Sequence, residues 1–191
     1  WTNASDRGAE QIEDSRVQWG VKTFDLLQVH NLVSWQAHLD TRFGMKEAGR
    51  LGYVGVTTSH GRRHSLTEKI MRDYPIDFVQ LTYNVADREA ERRLLPLAQD
   101  NGIAVIANRP FRRGALPRTL AGVPLPDIAE ALHVKSWPEL LLKFIISHPA
   151  VTCAIPATTR VAHVEENLAA ATGPLPDERT RRAMAEYVMR L

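Results

Sequence analysis

An α/β fold is predicted: a (β/α)8 barrel of the TIM type, of which this chain carries the last five βα units. Three observations predict it. Five short apolar runs alternate strictly with helix-period segments, the order of a parallel sheet with helices outside it. Polar residues gather at the carboxyl end of every run, where such a barrel places its chemistry. No Gly-rich fingerprint opens a helix after any run, which argues against a doubly wound dinucleotide fold.

The elements follow in order. A helix over 8–19 precedes the first strand, 24–30 (FDLLQVH), and a second helix fills 35–49. Strands at 53–59 (YVGVTTS), 78–84 (FVQLTYN) and 103–108 (IAVIAN) are each apolar enough to be buried on both faces. Between them, 65–73 and 87–99 read as helices, the latter with Leu94, Leu95, Leu97 and Ala98 opposite a charged face. A Pro- and Gly-bearing insertion over 111–135 delays the fifth strand, 151–156 (VTCAIP). Helices over 137–147, 161–171 and 177–190 complete a single domain of residues 1–191. The first methionine is Met45 and the chain opens at Trp1, so a segment carrying the other three strands is expected before Trp1. Five strands leave two open edges, which predicts association with that segment or with another chain.

Composition narrows the function. Of 191 residues, 24 are Lys or Arg and 22 Asp or Glu, so the net charge is 24 − 22 = +2. That balance carries no footprint for nucleic acid, and the Arg pairs at 62–63, 92–93, 112–113 and 181–182 are scattered, as on solvated helix ends and loops. No apolar run is long enough to span a membrane, and no signal peptide is expected in residues 1–191. The lone Cys153 excludes an intrachain disulfide. His60 and His64 are four apart, but Gly61 lies between them and no carboxylate follows usefully, so they read as a solvated loop and no metal site is expected.

Two features could carry chemistry. His30 ends a strand, so in a barrel it faces the mouth, where a neutral imidazole can donate a hydrogen bond to a carbonyl oxygen. In AIPATTRVAHVEEN (154–167) a strand ends, Thr158, Thr159 and Arg160 follow, and a helix begins; its free N–H groups with hydroxyls and a cation make an anion site. Capping alone would explain either threonine. Arg109, Arg112 and Arg113 of the preceding strand's loop add charge, and together these favour a phosphate-bearing ligand. Glu165 and Glu166 face different ways on a helix and cannot act on one group together.

These pieces, in this order, resemble the aldo/keto reductase family. The resemblance rests on DLLQVH (25–30), on Gly55-Val56-Thr57-Thr58, on Val79-Gln80-Leu81-Thr82-Tyr83, on LLPLAQDNGIAVIANRPF (94–111) and on Ile155 to Asn167. It covers nearly the whole chain, and the NRPF form at 108–111 is similar to a bacterial subgroup that often carries twin-arginine export signals. The resemblance implies hydride transfer from a nicotinamide to an aldehyde or ketone, with His30 orienting the carbonyl. The catalytic Asp, Tyr and Lys it also implies would lie upstream of Trp1. For the cofactor it implies Thr57, Thr58 and Gln80 at the nicotinamide amide, and Asn108 where a tyrosine usually stacks on the ring. Pro110, Phe111, Arg112, Arg113 and Gly114 would wrap the pyrophosphate. Ile155, Pro156, Ala157, Thr158 and His163 would hold the adenosine 2′-phosphate side, and Glu166 and Asn167 the adenine. Ala157 stands where a lysine is frequent, and Arg160 restores that charge, which favours NADPH over NADH.

The reading is thus an NADPH-dependent reductase of small carbonyl compounds, located in the cytoplasm, or in the periplasm if an upstream twin-arginine signal exists. The alternative is a truncated, non-catalytic barrel that binds cofactor or another protein. A barrel enzyme with a phosphate site but no redox chemistry is a third reading, which the Thr57, Gln80 and Asn167 set disfavours.

Overall fold

The structure, a computed structural model, describes residues 5–59 and 61–191. Its parallel sheet runs β1 (Phe24–His30), β2 (Leu51–Thr57), β3 (Phe78–Thr82), β4 (Ala104–Asn108) and β5 (Cys153–Ala154), hydrogen-bonded in sequence order. Around it stand α1 (Gly8–Trp19), α2 (Trp35–Glu47), α3 (His64–Asp73) and α4 (Leu94–Asp100), then α5 (Ala115–Thr119), α6 (Ile128–Ala131), α7 (Trp137–Ile146), α8 (Val161–Ala169) and α9 (Glu178–Met189). The helix expected over 87–99 is broken into a 3-10 turn, Glu89–Arg92, and α4. Pro96 explains the break: inside one long helix it would remove an interior N–H bond, whereas in the first turn of α4 it costs nothing. The 111–135 insertion holds two short helices, α5 and α6.

Register explains the core. Val29, Val56, Val79 and Val105 align side by side across four strands, and each is at most 1% exposed. This face lies under the helices, and α7 adds Leu140, Leu141, Phe144 and Ile145 to the same core. Ser136 caps α7 by accepting from the Glu139 N–H, with Pro138 in the first turn. Side chains alternate along a strand, so the opposite face carries the rows His30, Thr57, Gln80, Ile106, Cys153 and, lower down, Leu26 with Tyr53. This second face corrects the expectation of strands buried on both sides. Tyr53 is 51% exposed, and Leu26, Phe78 and Ile106 are only half-buried, because nothing among the described residues covers them. β5, expected over 151–156, has two residues, though Thr152 and Ile155 extend its bonds to the β4 carbonyls of Val105 and Ala107.

Behind the sheet, the Tyr83 ring packs on Phe144 and His148. Burial, then the Arg181 charge, lowers the His148 pKa below its ordinary 6.5, against weaker opposing pulls from Glu91 and Glu178. The unfolded chain therefore takes up this proton first as pH falls. Stability is complete above the unfolded value and is lost as pH drops through 6.5 toward the folded value. Melting temperature should fall between about pH 7.5 and about pH 5.5, and His148→Gln should flatten that slope. An equal slope in the variant would assign the effect elsewhere.

Candidate active site

The carboxyl ends of the strands share one rim. His30, Thr57 and Gln80 lie side by side in one register row, about 4.8 Å from strand to strand. The chain leaves β1 through Asn31 and Leu32 in the left-handed region (φ 53° for each), and the Asn31 N–H donates to the Thr57 carbonyl at 2.8 Å. That bond ties the His30 tip to β2. Beside it, Asn108 donates from Nδ2 to the Thr58 carbonyl at 2.7 Å and accepts from the Thr82 hydroxyl at 2.8 Å. Its amide thus links three strand ends rather than facing outward. The Thr58 hydroxyl is buried and has no hydrogen-bond partner among the described residues.

On the β4–β5 side lies a cleft of about 570 Å³. The turn after β4 contributes Pro110, Phe111, Arg113 and Gly114 to its wall, together with Arg109. The turn after β5 contributes Ile155, Ala157 and Thr158, and α8 contributes His163, Glu166 and Asn167. Ten of the residues named from the sequence for cofactor binding therefore meet around one space, of the size a dinucleotide half or a drug-sized ligand fills. Glu166 lines it and Glu165 does not, as adjacent helical positions require.

Three arginines shape the turn. Arg109, Arg112 and Arg113 all have positive φ (52°, 48° and 58°), a conformation costing of order 1 kcal/mol for each side chain larger than glycine. Gly114 follows with φ 80° and would meet the Arg118 guanidinium at 3.0 Å if it carried a Cβ. Asn84 holds the turn in place. Fully buried, it donates to the Arg109 carbonyl at 3.0 Å and to Asp87 at 2.9 Å, and accepts from the Ala86 and Asp87 N–H groups. At the α8 entry, Thr158 accepts from the Arg160 N–H at 3.1 Å and lies 3.3 Å from His163 Nδ1. It bridges the turn rather than capping the helix, since Arg160 occupies the cap position and makes no side-chain cap bond.

Several expected residues lie elsewhere. Thr57, Thr58, Gln80 and Asn108 sit on the sheet rim and do not line the cleft, and Pro156 lines it neither. Arg112 turns toward a neighbouring cavity and pairs with Asp87 at 3.1 Å. His30 borders a small cavity of about 60 Å³ at the β1 edge, with Gln28 and Arg42. His64 corrects the solvated-loop reading: it opens α3, its side chain is mostly buried, and it stands 3.7 Å from a Glu89 carboxylate oxygen. His60 lies outside the described residues. No cluster of three metal-ligating side chains occurs among the described residues. Sequence reasoning missed Asn84 as the organiser of the rim, although an Asn with Asp three residues on is a turn signal.

The model of the aldo/keto reductase family matches residues 3–185. The chain belongs to that family. An uncharacterized oxidoreductase of Schizosaccharomyces pombe is 29% identical over 172 residues, 88% of this chain and 54% of the yeast protein. The NADH-specific methylglyoxal reductase of Escherichia coli is 32% identical over 104 residues, 53% of this chain and 30% of that enzyme. The chain thus spans about half the length, or less, of these two relatives. Among solved structures, the holo form of an aldo-keto reductase from Bacillus halodurans superposes with a TM-score of 0.78 at 20% identity, covering 98% of this chain and 68% of that one. An aldo/keto reductase of Klebsiella pneumoniae in complex with NADP and acetate gives 0.74 at 22% identity, covering 92% and 62%. Both share the parallel α/β fold with this member of the aldo/keto reductase family. No described helix is long and apolar enough to cross a membrane.

Proposed function

We propose that this chain is the carboxyl-terminal five-eighths of a barrel oxidoreductase that reduces small aldehydes or ketones with NADPH. The carrying observation is the cleft where the turns after β4 and β5 meet α8, with Arg109 and Arg113, which have no carboxylate partner among the described residues, at one end and Glu166 and Asn167 at the other. A dinucleotide fits these residues. Pro110, Phe111, Arg113 and Gly114 hold its phosphates, Ile155, Ala157 and Thr158 with His163 hold the adenosine phosphate side, and Glu166 and Asn167 take the adenine. Thr57, Thr58, Gln80 and Asn108, side by side on the sheet rim, receive the nicotinamide end. Bound there, a nicotinamide supplies hydride to a carbonyl carbon. His30 orients the carbonyl oxygen by donating an imidazole N–H, and the general acid comes from upstream residues. Arg160, exposed at the α8 entry, supports NADPH; the name of the bacterial relative points to NADH for that enzyme.

The share of the barrel has its own support. α8 buries none of its residues, and Val161, Val164 and Leu168 form an exposed apolar stripe along it. At the other edge Val17 and Trp19 are exposed, and Gln28 Nε2 and Arg42 Nε are buried without partners among the described residues. Three further βα units, from an upstream segment, would cover both edges and the open sheet face.

Fluorescence titration tests the reading. NADPH should saturate one site and bind more tightly than NADH. Absence of any nicotinamide binding removes the reductase assignment. Binding without turnover, in protein that carries the upstream Asp, Tyr and Lys, would replace it with a binding module. Light scattering tests the barrel share, since a stable, monodisperse monomer of residues 1–191 alone would contradict the need for covered edges.

A further inference from the structure

Next to the cleft lies a second cavity of about 560 Å³, walled by the turns after β2, β3 and β4. The two spaces share only Arg109 and Arg113. The second is lined by charge: four arginines against Asp87 and Glu89, with His64 beside Glu89. Arg112 is paired with Asp87 at 3.1 Å, and Arg88 lies 3.9 Å from Glu91. Arg109 and Arg113 have no carboxylate partner among the described residues. The half-buried Arg109 guanidinium donates instead to a neutral oxygen, the Ser59 hydroxyl, at 3.1 Å. Its backbone is pinned in a left-handed turn by the buried Asn84, so the charge is held at one place on the partition. A fixed guanidinium without a counterion is organised to receive an oxyanion through paired N–H donors.

The cavity also abuts the chemistry. Thr82 lines it and donates to Asn108, which donates to the Thr58 carbonyl, so one wall is the rim assigned above to the nicotinamide end. We propose that this cavity is an anion subsite for the substrate: it takes the carboxylate or phosphate of a carbonyl compound, with Arg109 selecting the charge and Arg113 reinforcing it. The inference rests on the reductase reading and adds the substrate class to it.

The test uses the complete protein and NADPH oxidation with butanal, succinic semialdehyde and glyceraldehyde phosphate. The ratio of kcat/KM for a charged over the uncharged aldehyde should be at least about tenfold, and should collapse toward one in Arg109→Gln. The two charged substrates separate carboxylate from phosphate preference. Calorimetric titration of succinate and inorganic phosphate into NADPH-saturated protein should show binding that the same variant weakens by about tenfold. Should Arg109→Gln fail to fold, the exposed Arg113→Gln serves, with a smaller fall in the same ratio. A ratio near one in the parent protein, a ratio unchanged in the variants, or NADPH displacing both anions overturns the subsite. Failure to bind NADPH overturns the reductase reading with it, whereas NADPH binding without charge preference overturns the subsite alone.

Discussion

Phe144→Ala lowers stability by about 3–5 kcal/mol, the largest effect expected for any single substitution here. The ring is 1% exposed in the middle of α7 and packs at 5.7 Å from the Tyr83 ring, itself fully buried. Tyr83 cannot fill the gap, because its hydroxyl is held by Glu91 at 2.7 Å and its edge by His148. The cavity therefore stays open, and the cost is the lost burial plus the void. Urea denaturation measures it. A loss below about 1 kcal/mol would mean that α7 shifts inward and that this part of the core is looser than its burial indicates.

His30→Ala should lower kcat about 10²–10³-fold in the complete protein, with a much smaller change in NADPH affinity. The imidazole stands on the outermost residue of β1, in register with Thr57, and the turn behind it is fixed by the bond from Asn31 to the Thr57 carbonyl. On the proposed reading, a donor so placed would act on the oxygen where negative charge develops rather than on the cofactor. Steady-state kinetics with cofactor titration separate the two effects. An equal loss in cofactor affinity would make His30 a binding residue instead.

Much of this is legible in the sequence. The bounds of α1 and β1 follow from their patterns to the residue, and most residues lining the α8 cleft come from 154–167 and 108–114, with Pro117 and Pro138 added from elsewhere. What escaped depends on neighbours distant in sequence. Tyr53 and Ile106 are apolar and read as buried, but burial needs a covering layer, and composition says nothing of whether one is present. Asn108 looked like a ring-stacking position; its cross-strand bonds to Thr58 and Thr82 join residues 50 and 26 positions away. The break at Pro96 was legible in principle, since the proline interrupts an otherwise continuous helical pattern.

Because α8 presents Glu166 and Asn167 yet sinks no side chain into the core, its position owes little to the rest of the fold. Whatever fills the space beneath it becomes part of what fastens it. Occupancy by a ligand at a hundred times its dissociation constant contributes about 2.7 kcal/mol by mass action alone. Protection of the α8 amides from hydrogen exchange should rise with that occupancy, so this helix reports whether the cleft is filled.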